Sequence, residues 1–400
     1  MSVAGQSGTW AQAGIHLGID ATNIRIGGGI THLSQLLEAG DPLEHGIARV
    51  TVWTPRATAA SLPTRPWLNV RSPAWGERGA LSRFVGQHYL LPREARAAAC
   101  DVLFSPGGTT PLFHTGLRVT MSQNLLPFEP LEAARFGRFS WMRLKMRLLR
   151  SSQGHSFRRA NGLIFLTAYA QRVVTDMLGS SSQQTALIPH GIEPRFLQPP
   201  RPQRSLSDCR PGNPFRLLYV SILMPYKRQH EVAHAVRQLR QSGLPISMTF
   251  IGVTWGTYGR RFKALLETLD PKREFLFWPG AEAFDQLHQR YQQADAFVFA
   301  SSCENLPNIL IEAMAAGLPV ACSNRGPMPE VLGDAGVYFD PDQIDSMAQG
   351  MRTLVEDAAL RQQLAQKAWA RARAYSWRRC AQDTFKFVAH VAQRAATRVS

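Results

Sequence analysis

Short apolar runs alternate with amphipathic stretches along most of the chain. This alternation is typical of parallel α/β domains, in which a helix packs on the sheet after each buried strand. The apolar runs of the first half predict strands at Ile15–Ile19, Val50–Trp53, Val102–Phe104, Val119–Met121, Leu163–Leu166 and Ala186–Ile188. Those of the second half predict strands at Phe215–Val220, Ser247–Ile251, Glu274–Trp278, Ala296–Ala300 and Pro319–Ser323. Helical spacing of apolar residues predicts helices near Gln229–Gln241, Phe284–Gln293 and Pro307–Ala316.

A segment without periodicity separates the two series of strands. Residues 197–214 read LQPPRPQRSLSDCRPGNP and are rich in Pro, Arg and Ser, a composition typical of linkers. The sequence therefore predicts two doubly wound, Rossmann-like α/β domains, residues 1–200 and 215–376, joined by a linker at residues 201–214. Because ligands of such sheets bind at the carboxyl ends of the strands, we expect the two domains to face one another across a cleft.

Composition narrows the class of protein. The chain is 44% hydrophobic and 18% charged, as expected for a folded protein, and no apolar run is long enough to predict a membrane span. Its N-terminus lacks a basic region followed by an apolar core, so we expect no secretion signal. The five cysteines are scattered, which argues against a disulfide framework or a zinc site and suits a reducing cytoplasm. A net charge of +16 favours a polyanionic partner: nucleic acid, an anionic membrane or a phosphorylated substrate.

Two glutamates flank the start of a predicted helix. Glu304 lies in the turn after a strand, and Glu312 lies eight residues later, on the same helix as Asn308. Carboxylates beside the N–H groups of a first helical turn can bind hydroxyls while the backbone binds phosphate. The same pair could instead be an acid that complements the helix dipole together with an ordinary surface glutamate. The pair alone does not distinguish these alternatives.

The surrounding motifs resemble those of retaining GT-B glycosyltransferases of family four, the "glycosyl transferases group 1". That family carries two glutamates separated by seven residues, the second opening a Glu-Ala-Met-Ala-x-Gly-x-Pro-Val motif. This chain has Glu304 and then EAMAAGLPV at Glu312–Val320. Four further segments are similar to family motifs: Gly27–Leu33, Ile188–Ile192, Tyr219–Lys227 and Pro329–Pro341.

The resemblance implies roles for individual residues. It implies that Glu312 holds the ribose hydroxyls of a nucleotide, that Glu304 lies near the hydroxyls of the donor sugar, and that Lys227 contacts phosphate. Gly28 and Gly29 match a glycine pair that faces the cleft. Backbone amides are expected to meet the sugar and the diphosphate along the loop formed by Asn305, Leu306, Pro307 and Asn308. The resemblance also implies that residues 377–400 form a helix that packs back on the first domain.

Two departures from the family pattern bear on chemistry. The family commonly has Gly-Arg where this chain has Ser221 and Ile222, so a second cation is missing from its usual place. A histidine is often found after the strand at Val119–Met121, where this chain has Gln123 and Asn124. These two amides could bind a sugar hydroxyl of the acceptor but are poor general bases. Retaining members are thought to let the leaving phosphate take the proton of the acceptor, so the mechanism needs positioning more than a protein base.

Residues 131–160 carry eight Lys and Arg interleaved with aromatic and aliphatic residues. Such a stretch predicts either a helix that lies in an anionic membrane interface or a packed helix with a solvated basic edge. The literal Asp-x-Asp at Asp340–Asp342 is interpreted as a turn before a helix rather than a metal site.

Together these features predict a metal-independent hexosyltransferase. The family makes GDP-mannose the first donor to expect and UDP-linked sugars the second. The expected acceptor is a glycan or a lipid-linked sugar of surface polysaccharide synthesis, and the expected location is the cytoplasm, including the inner face of its membrane. A catalytically silent relative is the alternative. A nucleic-acid-binding protein is disfavoured because no nucleic-acid motif is found.

Overall fold

The computed structural model describes residues 14–25, 27–179, 183–254 and 257–397. The amino-terminal residues for which no secretion signal is expected, 1–13, lie outside this range. The chain divides into two compact units. The first contains the residues up to 128, residues 144–191 and the residues from 376 onward, and the second contains residues 129–143 and 192–375.

A parallel seven-stranded sheet forms the centre of the first unit, in the order β3-β2-β1-β4-β5-β6-β7. Its strands are β1 (Ile15–Asp20), β2 (Ile47–Trp53), β3 (Leu68–Arg71), β4 (Val102–Ser105), β5 (Leu117–Met121), β6 (Gly162–Phe165) and β7 (Gln184–Leu187). The described α-helices up to residue 178 are α1 (Gly28–Ala39), α2 (Arg56–Ala59), α3 (Ala80–Val85), α4 (Leu91–Ala97), α5 (Pro130–Ala134), α6 (Trp141–Arg159) and α7 (Ala168–Leu178). Of these, α5 belongs to the second unit.

A parallel six-stranded sheet forms the centre of the second unit, in the order β10-β9-β8-β11-β12-β13. Its strands are β8 (Phe215–Val220), β9 (Ile246–Ile251), β10 (Leu276–Gly280), β11 (Ala296–Phe299), β12 (Val320–Ser323) and β13 (Val337–Phe339). Its further helices are α8 (Gln229–Gln241), α9 (Thr257–Leu269), α10 (Leu287–Gln293), α11 (Asn308–Ala315), α12 (Met328–Leu332), α13 (Ile344–Glu356) and α14 (Ala358–Ala372). The last helix, α15 (Trp377–Thr397), belongs to the first unit, where Phe385 lies against Gly40.

The predicted fold class is confirmed, since both units are parallel sheets flanked by helices, and every predicted strand overlaps an observed one. The edge strand β3 was not predicted, because it is mostly exposed and therefore carries no apolar run.

The domain boundaries differ from those predicted. The chain enters the second unit at residue 192 rather than near residue 200, and the predicted linker, residues 201–214, lies within that unit. This segment is held by side chains, which its composition did not reveal. Arg204 Nη1 donates to Asp295 Oδ2 at 3.1 Å, and the buried Arg361 donates to the carbonyl of Arg204.

Gly317 lies two residues after the last residue of α11 and adopts the left-handed conformation, with φ of 67°, which favours glycine after the end of a helix. A Cβ added there would lie 2.7 Å from backbone atoms of Pro200. We expect Gly317→Ala to lower the free energy of unfolding by at least about 2 kcal/mol, because the backbone strain and the clash act together. Gly243→Ala is the matched control, since Gly243 has φ of 90° and open space around its Cβ position. Urea denaturation measures the free energy of unfolding of both variants. If it fell equally in both, the clash of the new Cβ with Pro200 would not contribute to the destabilisation.

Candidate functional site

Helix α11 and the turn before it carry most of the predicted site residues. Strand β11 is fully buried and ends at Phe299, and the chain reaches α11 through residues 300–307. Leu310, Ala313 and Met314 are all 0% exposed, so this face of the helix packs in the core and anchors it. The helix was predicted to begin near Pro307, but Pro307 occupies the N-cap position, immediately before the first helical residue. The helix therefore begins at Asn308, and the positive end of its dipole lies at the loop of the predicted site.

Lys227 and Glu304 form a buried ion pair. Lys227 ends a 3₁₀ turn, Pro225–Lys227, after β8, and only 6% of the residue is exposed. Its Nζ donates to Glu304 Oε1. Burial by itself lowers the pKa of Lys227, but the nearby Glu304 and Tyr226 outweigh it, so the pKa is raised and the lysine is charged. Two segments 77 residues apart in sequence thus supply one pair of opposite charges.

Glu312 is held in the core by a tyrosine that the sequence did not single out. Glu312 is 6% exposed, and Tyr291 on α10 donates its hydroxyl to Glu312 Oε2 at 2.9 Å. Burial raises the pKa of Glu312 to about 7, although the hydrogen bond from Tyr291 acts in the opposite direction. Glu193 also raises the pKa and Arg195 lowers it. This carboxylate is therefore poorly compensated in the protein alone, and hydroxyl donors of a ligand would stabilise it.

The loop between the two glutamates is well packed. Asn305 and Leu306 are each 7% exposed. The backbone N–H of Asn308 donates to the carbonyl of Leu306 at 2.9 Å, and Pro307 accepts from the N–H of Leu310 and of Ile311 at 2.9 and 3.1 Å. Loop and helix therefore form one rigid turn beside Glu304.

The predicted acceptor-side residues lie in the first unit. Gly28 and Gly29 form the first turn of α1, and a Cβ added at Gly28 would meet nothing within 4 Å, so packing does not require glycine there. Gln123 lies beside Gly29, since a Cβ at Gly29 would be 3.9 Å from Gln123 Oε1. The amide of Gln123 is 3.3 Å from Nδ1 of the buried His32, a neighbour that sequence reasoning missed. Asn124 instead caps a local turn, because its Oδ1 accepts from the N–H of Leu126 at 3.2 Å.

Asp340 and Asp342 form a turn, in keeping with the interpretation from sequence. The N–H of Asp342 donates to Asp340 Oδ1 at 3.0 Å, just before α13. Arginines, not further carboxylates, surround the two side chains, with Arg325 at 3.1 Å from Asp340 and Arg135 at 3.0 Å from Asp342. In the described part of the chain, no three His, Cys, Asp or Glu side chains are grouped so that they could hold a metal ion.

The fold of two parallel α/β units is that of the GT-B glycosyltransferases. Sucrose-phosphate synthase from Thermosynechococcus elongatus superposes with a TM-score of 0.73 at 16% identity, over 96% of this chain and 100% of that one. The Anabaena protein HepE in complex with UDP-glucose gives 0.66 at 17% identity, over 96% and 100% of the two chains. WaaG, a glycosyltransferase involved in lipopolysaccharide biosynthesis, gives 0.65 at 14% identity, over 94% and 99%. At these identities the likeness shows the fold.

Sequence similarity points to the family. Residues 208–371, which contain Lys227, Glu304 and Glu312, match the model of glycosyl transferases group 1. O-antigen chain mannosyltransferase B of Escherichia coli is 34% identical over 100 residues, 25% of this chain and 26% of that protein. The D-inositol 3-phosphate glycosyltransferase of Paenarthrobacter aurescens is 23% identical over 214 residues, 52% of each protein. In three curated relatives, the region that matches this chain is less than a third of the relative's length, namely 26%, 19% and 30%. These matches support a glycosyltransferase of this family.

Proposed function

We propose that this protein is a retaining glycosyltransferase that moves a hexosyl group from a nucleoside diphosphate sugar to a glycan or lipid-linked acceptor. The observation that carries the proposal is the buried Lys227–Glu304 pair at the N-terminal end of α11, with the buried carboxylate of Glu312 on the same helix. It combines a cation for phosphate with carboxylates for hydroxyls, which are the groups that a nucleotide sugar presents. The family match supports the proposal because it covers all three residues.

Each residue of the site has one role in this proposal. The ribose hydroxyls donate to Glu312, whose ionised form they stabilise. Lys227 binds the diphosphate and counters the negative charge that develops as it leaves, the point where electrostatic stabilisation contributes most to rate. Glu304 keeps Lys227 charged and in place before the donor binds, and it accepts a hydrogen bond from a hydroxyl of the sugar.

We propose retention without a protein base. Gln123 and Asn124 stand where the family often has a histidine, and neither amide accepts a proton near neutral pH. The bond from C1 to the diphosphate oxygen breaks, and the bond from C1 to the acceptor oxygen forms on the same face of the sugar. The acceptor proton passes to the departing phosphate oxygen, so charge and atoms balance.

For the donor we propose GDP-mannose first and UDP-linked sugars second, and for the pathway surface polysaccharide synthesis. The similarity to an O-antigen chain mannosyltransferase supports the first donor, and that to HepE, which was solved with UDP-glucose, supports the second. The proposed location is the cytoplasmic side of the membrane.

Donor turnover tests the proposed activity. Purified protein is incubated with GDP-mannose, UDP-glucose and UDP-N-acetylglucosamine, and slow release of GDP or UDP without acceptor is measured. We expect one donor to be hydrolysed, with the sugar first released in the anomeric configuration of the donor. Nucleotide binding with no release from any donor would instead favour a catalytically silent relative, as Ile222 and Asn124 in place of the usual side chains suggest.

We further propose that α6 and the residues before it contact an anionic membrane. Four large apolar side chains of this segment are exposed: Phe139 by 95%, Trp141 by 70%, Leu144 by 46% and Leu148 by 57%. Trp141, Leu144 and Leu148 lie on one helical face. Exposed Arg138, Lys145 and Arg147 lie among them, so charge complementarity favours anionic lipid. The proposed contact is peripheral. No helix among the described residues is long and apolar enough to cross a bilayer.

Vesicle sedimentation tests this contact. We expect the protein to bind vesicles containing phosphatidylglycerol at low salt and to bind pure phosphatidylcholine at least about tenfold more weakly. Phe139→Ser with Trp141→Ser should abolish most of the binding, because both side chains supply apolar area. Leu187→Ser is the control, since Leu187 is 49% exposed on β7. Equal binding of wild type and the double variant would show that α6 is only a solvated basic helix.

A further inference from the structure

Residues 129–143, here the inserted segment, lie in the second unit although the sequence on both sides belongs to the first. The segment contains α5 and follows β5 in sequence. Its side chains contact the two loops that supply Lys227 and Glu304. No sequence pattern predicts this contact, because Glu132 stands out in the sequence only as an acid at the start of a basic stretch.

Glu132 contacts the loop of Glu304 directly. Ser302, two residues before Glu304, donates its hydroxyl to Glu132 Oε2 and also lies 3.1 Å from the carbonyl of Tyr226. The backbone N–H of Ser302 donates to the same carbonyl at 2.8 Å. Tyr226 immediately precedes Lys227, so Ser302 links the two loops and Glu132 fixes Ser302.

A chain of ion pairs extends from Glu132 to the other side of Lys227. Arg135 donates to both oxygens of Glu132, at 2.7 and 3.1 Å, and also to Asp342 at 3.0 Å. Asp342 pairs in turn with Arg228, which directly follows Lys227 and adopts the left-handed conformation at φ of 59°. Arg228 is only 7% exposed and also pairs with Glu231 at 2.8 Å.

An aromatic contact completes the attachment of the segment. The rings of Phe136 and Tyr226 lie 6.2 Å apart, and Lys227 Nζ is 5.2 Å from the centre of the Tyr226 ring. The inserted segment therefore contacts residues next to both members of the Lys227–Glu304 pair. Glu132 contacts Ser302, which lies near Glu304 in sequence. Phe136 contacts Tyr226, and Arg135 connects through Asp342 to Arg228, on either side of Lys227.

We propose that Glu132 is a positioning residue for the Lys227–Glu304 pair and that the inserted segment is a structural part of the donor site. The proposal rests on the proposed function, because the pair is the group that would bind the donor. Glu132 itself needs no contact with substrate. It orients Ser302 and Arg135, and a charged site is effective only when such supporting contacts fix its geometry.

Glu132→Ala is expected to weaken binding of UDP or GDP by about tenfold, as measured by calorimetry, because a charge-assisted hydrogen bond is lost. Ser302→Ala should cause a loss of similar size. The double variant should bind no more weakly than Glu132→Ala alone, since the contact that Ser302→Ala removes is already lost in that variant. Glu132→Gln should recover part of the affinity, because its amide oxygen still accepts from Ser302. Glu356→Ala, which removes an exposed pair with Arg352, is the control for loss of a carboxylate.

Hydrogen exchange distinguishes positioning from mere stabilisation and needs no ligand. In Glu132→Ala the amides of residues 301–306 should exchange faster, while those of β8 and β11 remain unchanged. Unchanged affinity and unchanged exchange would overturn the proposal, as would a lower melting temperature with wild-type affinity. If wild type bound neither nucleotide, the proposed function would fail, whereas faster exchange at 301–306 would still support the positioning of the loop by Glu132.

Discussion

Glu312→Gln is expected to weaken binding of the nucleoside diphosphate by about 100-fold, because two charge-assisted hydrogen bonds to ribose become neutral or are lost. Glutamine is nearly isosteric, so its amide oxygen can still accept from Tyr291 and the packing of α11 is kept. The variant should nevertheless be more stable than wild type in weakly alkaline solution. Function and stability therefore change in opposite directions at this one position.

The stability effect follows from the raised pKa of Glu312, which is about 7 in the folded chain against 4.5 ordinarily. The folded state holds the proton to higher pH than the unfolded state does. The stabilising contribution is fully present below about pH 4.5 and is lost as the pH rises through about 7. Because a glutamine side chain at this position cannot ionise, the variant should gain on the order of 3 kcal/mol over wild type at pH 8 and nothing at pH 4.

Urea denaturation at pH 4, 6 and 8 measures this difference, and calorimetry at pH 8 measures binding. Glu267→Gln is the matched control, because Glu267 is an exposed glutamate of the same unit whose pair with Arg273 is solvated. Its stability difference from wild type should be close to zero at every pH. A Glu312→Gln variant that binds nucleotide like wild type would remove Glu312 from the site.

Lys227→Met is expected to lower the turnover number by about 100- to 1,000-fold, because the charge that stabilises the departing diphosphate is removed while the bulk of the side chain stays. It should also destabilise the protein. The Glu304 side chain is only 14% exposed, and without Lys227 its buried negative charge has no cation beside it. Initial rates of donor hydrolysis and urea denaturation measure the two effects separately.

The double variant Lys227→Met with Glu304→Gln separates these effects. Removing both charges should restore most of the stability and none of the activity. Lys263→Met, an exposed lysine on α9, is the control for loss of a positive charge. Recovery of activity in the double variant would show that Lys227 serves folding alone.

The sequence predicted the fold well, because buried parallel strands leave apolar runs that can be counted. Motifs in the sequence predicted Glu304, Glu312 and Lys227 as site residues. The sequence did not predict that Glu312 is buried and accepts a hydrogen bond from Tyr291, which only the structure shows. A tyrosine at the end of an amphipathic helix carries no signal for such a contact. The same holds for Glu132, whose partner Ser302 is 170 residues away in sequence.

The position of residues 129–143 shows another limit of sequence reasoning. From its charge and apolar content, the segment 131–160 was treated as one basic stretch. In the structure, its residues up to Arg143 belong to the second unit and the rest belong to the first. The predicted linker is wrong for a related reason. Proline and arginine are typical of linkers, but Arg204 is held by a salt bridge with Asp295 that only the folded chain forms.

Calorimetric titration of UDP and GDP into wild type, Lys227→Met and Glu312→Gln is the most direct measurement of whether the second unit binds a nucleotide donor. We expect wild type to bind one of the two nucleotides and each variant to bind it at least about tenfold more weakly. Absence of binding to wild type, or equal affinity in all three proteins, would contradict the assignment of Lys227, Glu304 and Glu312 to a donor site.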